Sequence, residues 1–422
     1  MRTKFIYTAA CIICPLHTLY AAGLERTDQS IAAFLEPGNY AEISLAVIDA
    51  NIEGEVQYKD VISELGINDF STGNLAEREF LGKLALKFQP HPQISAGLIY
   101  EQPYMVNISY DYSPALPDGS VIEIESADIS FKSNNLTGLI GYQPHAHWNI
   151  YGGLSLQSFK GKLHMTGQQY DALNGYDVQF KNDNAVGWLA GLSYQRPEYG
   201  IKTSITYRSK IKHKNSTSES TFYSNGPFTI VPETQTAIET PQSVNLEFQT
   251  GISPSNLMYG AVRWVNWQNF VMQPPQLGAV LYWASQDPQY SELAQLKLIS
   301  YKKDQWSGKL GIAHQWNSRW LSALEFVWDK GSGNPASTLN PSDGYRGLGL
   351  GIMYSFSPQT FLASGAYYLQ FNKPDISSTP SAPQISGLST VADNDAMVYG
   401  LGKFLSFWSA VRIGQSGGIL PY

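Results

Sequence analysis

The sequence predicts an all-β fold class: a 14-stranded antiparallel transmembrane β-barrel with a short N-terminal hatch segment. Three observations lead to it. Apolar and polar residues alternate along several stretches, short and long connections alternate between those stretches, and aromatic residues flank the short connections. The mean hydropathy is −0.21, and no apolar run reaches the roughly 18 residues that a membrane helix needs. A β-barrel is compatible with this value, because its lipid-facing residues alternate with polar residues that face the lumen.

The first residues have the pattern of a secretory signal peptide. Arg2 and Lys4 give a positive start, Phe5–Leu16 is a short apolar run, and Leu19–Ala22 offers a small-residue cleavage site. The sequence therefore predicts an exported chain that becomes an integral barrel of the bacterial outer membrane. The expected organisation is a signal peptide at 1–22, a hatch at 23–38, the barrel at 39–407 and a C-terminal end or tail at 408–422.

Composition excludes several function classes. The net charge is −7 and the basic residues are not massed in one block, so no nucleic-acid partner is expected. Cys11 and Cys14 both lie in the signal peptide, which leaves the mature chain without a thiol. His145 and His147 occupy a short turn without an acidic or thiol ligand set nearby, so neither a metal site nor another cofactor is predicted.

Short and long connections alternate strictly between the predicted strands. Short turns at the periplasm and long loops outside are typical of bacterial barrels, and a soluble β-sandwich has no reason to sort its connections in this way. The implied strand count is even, with both chain ends at the periplasm. The short connections are Gln89–Gln93, Gln143–His147, Gln195–Tyr199, Ser253–Asn256, Trp316–Trp320 and Phe356–Thr360. The mostly longer ones lie near 53–79, 112–120, 165–183, 213–242, 269–295, 330–343 and 373–394.

Aromatic residues cluster beside the short connections, as a girdle at the periplasmic membrane interface would. Strands favour aromatic residues in general, but the concentration next to the turns favours the girdle. Its predicted members are Tyr142, Trp148, Tyr194, Tyr199, Trp316, Trp320, Phe356 and Phe361.

One strand carries a row of basic residues on its polar face. Charges on the lipid side of a barrel are costly, so these side chains are predicted to point into the lumen. Two interpretations stay open: an ion-pair lattice that fills and stiffens the lumen, or a ladder that attracts a carboxylate through charge-assisted hydrogen bonds. The residues are Lys202, Arg208, Lys210 and Lys212.

Another predicted strand, 93–112, contains a proline. Pro103 donates no ladder hydrogen bond, and a closed barrel has no edge where such a residue would be harmless. The site, Gln102-Pro103-Tyr104, must therefore bulge or bend away from a neighbour. A structural bulge and a sideways opening for an apolar molecule are both compatible with this pattern.

Gly414–Gly418 matches the G-x-S-x-G pattern of serine hydrolases. That pattern requires a strand-turn-helix elbow, and here it follows the last predicted strand. A chance match in a glycine-rich chain is the better explanation, so no catalytic residue and no enzyme activity are predicted.

Several segments together resemble the FadL family of outer-membrane transporters for long-chain fatty acids and other hydrophobic compounds. The resemblance covers about residues 39–407, and no single motif decides it. The segments are Trp188–Lys214 with Gly191–Tyr194 and Ile205–Lys210, Pro241–Leu246 leading into Val262–Trp267, and Asp343–Gly351 before Tyr354.

The resemblance implies a monomeric barrel, plugged by a hatch, that releases its ligand sideways through a kink in the third strand. That strand is the one with Pro103. It also implies a ligand-capture groove between outer loops and a headgroup site in the lumen. The groove would map to Met165, Tyr170, Leu173, Tyr176, Phe180, Phe222, Tyr223 and Phe228. By local alignment the headgroup site would map to Lys160 or Lys162, and the basic row described above adds Arg208 and Lys210.

Two departures from the family pattern concern the chain ends. The hatch is shorter than the family's and lacks its Asn-Pro-Ala stretch, which puts hatch-controlled gating in doubt. The last strand would naturally end at Phe407, yet the chain continues to Tyr422, so either residue would serve as the terminal aromatic.

The function predicted from these features is passive transport of long-chain fatty acids or similar hydrophobic molecules. The alternative is a general or weakly selective porin for polar solutes, with the lumen charges acting as a filter. An outer-membrane hydrolase is the third hypothesis, and no outward-facing serine–histidine pair supports it. The expected partners are the hydrophobic ligand, outer-membrane lipid and lipopolysaccharide, and the barrel assembly machinery.

Overall fold

The predicted barrel is confirmed in the computed structural model, in which fourteen antiparallel strands close on themselves. Closure is made by the first strand, which pairs with the last strand on one side and with the second on the other. The structure describes residues 24–56, 59–168, 170, 174–222, 227–228, 233–295, 297–333, 343–372, 388–390 and 394–407. The predicted signal peptide at 1–22, the predicted C-terminal end or tail at 408–422 and the Gly414–Gly418 match lie outside these residues.

Three of the fourteen barrel strands are interrupted. The strands are β1 (Asn39–Asn51), β2 (Glu79–His91), β3 (Ile94–Glu101 and Met105–Tyr112), β4 (Glu125–His145), β5 (Trp148–Thr166), β6 (Tyr176–Arg196), β7 (Ile201–Arg208 and Ile211–Phe222), β8 (Thr234–Thr240 and Ser243–Ser253), β9 (Asn256–Val265), β10 (Gln305–Gln315), β11 (Trp320–Asp329), β12 (Tyr345–Ser357), β13 (Thr360–Phe371) and β14 (Asp395–Phe407).

The sorting of connections is as predicted, with tight turns at one end of the barrel and long loops at the other. Two loops are shorter than the predicted 165–183 and 213–242. The strands β5 and β6 continue into the first range and β7 and β8 into the second, where they keep pairing with their neighbours.

The long loops carry short elements. They include α1 (Lys59–Glu64), α2 (Pro275–Ala284), the 3-10 turns Trp267–Asn269 and Pro288–Gln295, and the short strands Glu53–Val56, Ser71–Asn74, Pro227–Phe228, Val271–Met272, Ile299–Ser300 and Leu388–Thr390. Two further 3-10 turns are Ala32–Leu35 in the hatch and Pro197–Tyr199 in a short connection. Among the residues that the structure describes, none of the helices is both long enough and apolar enough to cross a bilayer.

The outer surface of the barrel is an apolar belt of exposed aliphatic residues on successive strands. Aromatic residues edge the belt beside the short turns, among them Trp148, which packs on Tyr194 with ring centroids 4.8 Å apart. Phe361 does not belong to this girdle. It is buried inside the barrel and stacks on Phe404 at 4.9 Å, since it lies on the inward face of β13.

The interior contains the hatch, and every residue from Leu24 to Glu36 is buried. Its last turn, with Phe34 and Leu35, packs in an apolar cluster near the short turns. Its first residue, Leu24, belongs to a second and larger cluster under the long loops. The segment therefore runs along the lumen from one end of the barrel towards the other.

Candidate functional site: the interrupted third strand and the hatch

The third strand loses one of its two neighbours where Pro103 interrupts it. Below the break, β3 pairs with β2 up to Tyr100 opposite Leu84, and with β4 along its whole length. Above it, Met105–Tyr112 pairs with β4, and no ladder joins this segment to β2 within the described ranges. The absent N–H of the proline explains where the ladder stops.

Hatch residues and one side chain replace the lost ladder. The Arg26 N–H donates to the Pro103 carbonyl at 2.7 Å, and the Met105 N–H donates to the Leu24 carbonyl at 2.8 Å. On the β2 side, the Gly82 N–H donates to Gln102 Oε1 at 3.1 Å. The break is therefore closed by the N-terminal segment together with a few wall contacts, which are the Gly82–Gln102 bond and two backbone hydrogen bonds between residues 75–77 and 107–109.

The same place is filled by a charged pair and an aromatic contact. The Arg26 guanidinium donates to both carboxylate oxygens of Glu79, at 2.5 and 3.2 Å, and both side chains are buried. Tyr104 lies edge-on to Trp267, with ring centroids 5.9 Å apart. Two side-chain contacts thus close the gap in addition to the backbone hydrogen bonds of the hatch.

Ion pairs fasten the rest of the hatch to the lumen wall. Arg263 on β9 donates to Glu25, Lys309 on β10 donates to Asp28 at 3.1 Å, and Lys202 donates to Glu36 at 2.8 Å. Burial raises the pKa of the Glu25 carboxyl, and the adjacent Arg263 guanidinium opposes that shift. Pairing offsets the cost of burying these charges, which favours the ion-pair lattice as the role of Lys202.

A small cavity lies beside the hatch at Arg208 and reaches towards the wall at Trp188. It has room for little more than one water molecule. The Nη2 atom of Arg208 donates to the Gln29 carbonyl at 2.8 Å, and the same nitrogen lies 3.9 Å from Glu101 Oε1. Arg208 is 6% exposed, and its Nε has no hydrogen-bond partner among the described residues. An oxygen-bearing ligand group would satisfy it.

A family model for outer membrane protein transport proteins (OMPP1/FadL/TodX) matches residues 31–407 of this sequence. The chain belongs to this family. The barrel is accordingly an outer-membrane barrel, with its short turns at the periplasm and its long loops outside. Within the described residues, no group of three or more histidine, cysteine, aspartate or glutamate side chains is placed to hold a metal ion.

Solved structures with the same fold include members of this family at low identity. A Pseudomonas aeruginosa FadL homologue is 11% identical, with a TM-score of 0.64 over 89% of this chain and 92% of that one. The Pseudomonas putida toluene transporter TodX is 10% identical, with a TM-score of 0.59 over 94% and 98%. The Ralstonia pickettii toluene transporter TbuX is 12% identical, with a TM-score of 0.56 over 93% and 98%. No curated protein sequence matches this chain.

Of the four predicted headgroup residues, only Arg208 faces the lumen. Lys160 and Lys162 are exposed on the outer face of β5, opposite the buried Phe159 and Leu163. Their predicted position in the lumen is wrong, because the local alignment did not fix which face they occupy.

Lys210 and Lys212 are also exposed rather than in the lumen, and both pair with Glu239 at 2.8 Å. The strand β7 is interrupted at Ser209-Lys210, and this irregularity moves the inward face from even to odd residue numbers. His213 occupies the inward face beyond the interruption, where it contacts Asp183 and Gln157 at 3.1 Å each.

Four of the eight residues predicted to form a capture groove lie in the large apolar cluster under the long loops. Met165, Tyr170, Tyr176 and Phe180 are all buried there. Strand residues rather than loop residues supply three of them, and in this closed arrangement they form a packed floor instead of an open groove. Leu173 and Tyr223 lie outside the described residues, and only the backbone of Phe222 and Phe228 is described.

The loop between β9 and β10 supplies a lid that sequence reasoning missed. Trp267 is fully buried and contacts Phe270 and Tyr301, with ring centroids 5.2 and 4.7 Å away. The buried Glu219 carboxylate accepts the N–H groups of Gln276 and Leu277 at 3.0 and 2.8 Å, which anchors the start of α2. The dense aromatic run from Trp264 onwards was the available signal for this lid.

Proposed function

We propose that the protein carries long-chain fatty acids or similar hydrophobic molecules passively across the outer membrane. Ligand is captured at the outer loops, passes the cavity at Arg208, and leaves sideways through the break in β3. The proposal rests on the break in β3, because the break lies beside apolar side chains of β2 that point outward. Phe80 and Leu84, on the β2 side of the break, are 67% and 43% exposed.

An apolar molecule would remain out of water along this route. The large cluster under the loops and the Tyr104–Trp267 contact line it on the inside, and the apolar belt receives the ligand on the outside. Each methylene that stays buried contributes about 0.8 kcal/mol. No energy source is needed for a ligand that moves between two apolar environments.

The packed lumen argues against the porin alternative. A porin for polar solutes needs a continuous aqueous path, whereas the hatch fills this lumen from Leu24 to Glu36 with ion-paired residues. Toluene transporters are among the solved neighbours, so a neutral aromatic hydrocarbon is also a candidate ligand. Arg208 favours a ligand that also carries a carboxylate.

Replacing Pro103 with valine should impair uptake while leaving assembly intact. Valine restores an N–H to the strand, and a regained backbone hydrogen bond of about 1 kcal/mol would lower the open population about fivefold. Radiolabelled oleate uptake by cells that express the variant measures this effect. Pro117→Val, in an exposed outer loop, is the matched control and should transport normally. Unchanged uptake by a folded Pro103→Val protein would contradict sideways release.

Exchange of Arg208 for methionine should separate carboxylate ligands from neutral ones. A hydrogen bond to a charged group contributes about 1.5–3 kcal/mol, so the affinity for oleate should fall by about 10- to 100-fold. Binding of toluene to the same purified protein should change little, and Arg208→Lys should recover part of the oleate affinity. An equal loss of affinity for oleate and toluene would contradict a role of Arg208 in headgroup binding. It would indicate instead that Arg208 is a structural partner of Gln29.

A further inference from the structure

Several lysines stand together on the outer wall of the barrel, on strands β4, β5 and β7. Lys132 and Lys160 are direct register partners in the β4–β5 ladder. Their neighbours Phe131 and Phe159 are buried inside, so the two lysines point away from the lumen. We call the group the lysine patch, and its members are Lys132, Lys160, Lys162, Lys210, Lys212 and Lys214.

The patch lies just above the apolar belt. Leu136 and Leu156 are register partners on the same outer face and are 40% and 49% exposed. Lys132 and Lys160 lie four residues from them, on the side of the long loops. Four residues of a strand tilted by about 40° raise the lysines by roughly 10 Å. On β6 and β7 the contact between Trp188 and Tyr207 marks the same boundary, shortly before Lys210.

The patch has more positive charge than the wall neutralises. Like charges directly opposite each other destabilise a ladder, yet no described carboxylate forms an ion pair with Lys132 or Lys160. Lys162 pairs with Asp128 at 2.8 Å, and Lys210 and Lys212 share one carboxylate, that of Glu239. The six lysines of the patch therefore form ion pairs with two described carboxylates. An external anion at this height would relieve the repulsion.

We propose that the lysine patch binds the phosphate groups of lipid A, the anchor of lipopolysaccharide in the outer leaflet. The patch is continuous with exposed leucines, so its partner must combine phosphates with acyl chains in one molecule. Phosphates of lipid A lie at the boundary where the lysines are, and its acyl chains would lie along Leu136, Leu154 and Leu156. Lysine ammonium groups form charge-assisted hydrogen bonds with phosphate. The assignment does not depend on which molecule the barrel transports.

The test uses the purified full-length protein and a variant with Lys132→Gln, Lys160→Gln and Lys162→Gln. Each basic residue near an anionic lipid surface contributes about 1 kcal/mol, so binding of bisphosphorylated lipid A should weaken about 100-fold. Native mass spectrometry in detergent measures the bound lipid. The matched control is Lys302→Gln, Lys303→Gln and Lys330→Gln, which removes three exposed lysines near β10 and β11 and should bind as the wild type does.

Two further arms keep the test decisive if the triple variant folds poorly. Raising the salt concentration should weaken lipid A binding to the wild type, because exposed charge pairs are screened. Dephosphorylated lipid A should bind weakly and independently of salt. The proposal is overturned if the folded triple variant binds lipid A as tightly as the wild type does, or if the control variant loses as much affinity as the triple variant. It is also overturned if removing the phosphates of lipid A leaves its binding to the wild type unchanged.

Discussion

Replacing Arg263 with methionine should release the hatch from the lumen while the barrel wall stays folded. Arg263 donates to Glu25, to Asn245 and to Gln29 Oε1 at 3.0 Å, so methionine leaves a buried carboxylate without its cation. Removing one partner of a buried ion pair costs about 3–5 kcal/mol. The cost falls on the hatch, because the ladders that hold β9 in the wall use backbone groups alone.

Amide hydrogen exchange in residues 24–36 measures this release directly, and limited proteolysis of the same segment supports it. Arg346→Met, an exposed arginine on β12, controls for loss of a positive charge. Adding Glu25→Gln to Arg263→Met should restore most of the protection, since the uncompensated charge is gone. Unaltered exchange in the single variant would mean that the other ion pairs and the apolar packing of Phe34 and Leu35 hold the hatch without Arg263.

Deletion of residues 24–36 is expected to turn the closed barrel into an aqueous channel. These residues contact both apolar clusters and five basic side chains of the wall, those of Lys87, Lys202, Arg208, Arg263 and Lys309. Without them, polar inward residues such as Glu247 and Lys309 would be hydrated, and water would connect the two ends of the lumen. The full-length protein should show no steady conductance and the deletion variant a large one.

Planar-bilayer conductance and liposome swelling with small sugars measure the effect of this deletion. Heat-dependent gel mobility must show that the variant is a folded barrel, because a misassembled chain also leaks. A folded deletion variant that stays closed would show that the wall side chains and the Trp267 loop suffice to block the lumen. Swelling of liposomes that contain the full-length protein would support the porin alternative.

Local sequence pattern predicted the wall well because each strand separates two environments. The alternation fixed the inward position of Lys202 and Arg208, and Pro103 marked the break, since proline cannot extend a ladder. The same logic failed at Lys210 and Lys212, where the interruption at Ser209-Lys210 reverses the faces. A one-residue irregularity exchanges inward and outward positions, and nothing in the local residue pattern announces it.

Contacts between distant segments were beyond sequence reasoning. Glu25 and Arg263 are separated by 238 positions, and no periodicity relates a hatch residue to a wall residue. The prediction of an open capture groove failed for a related reason. Their apolar character was recognised, but burial depends on how the Trp267 loop covers them, and that loop has no repeating pattern.

The break in β3 also divides the barrel into two mechanical regions. A closed barrel resists changes in girth because backbone hydrogen bonds link every strand to both neighbours. Near the short turns this ring is complete, as the ladder from Leu84 to His91 shows. At the height of Met105–Tyr112, β3 is tied on its free side to Leu24, Leu75 and Glu77 instead. The lower part is therefore a rigid collar, and the girth of the upper part can widen by breaking these three backbone hydrogen bonds rather than a whole ladder.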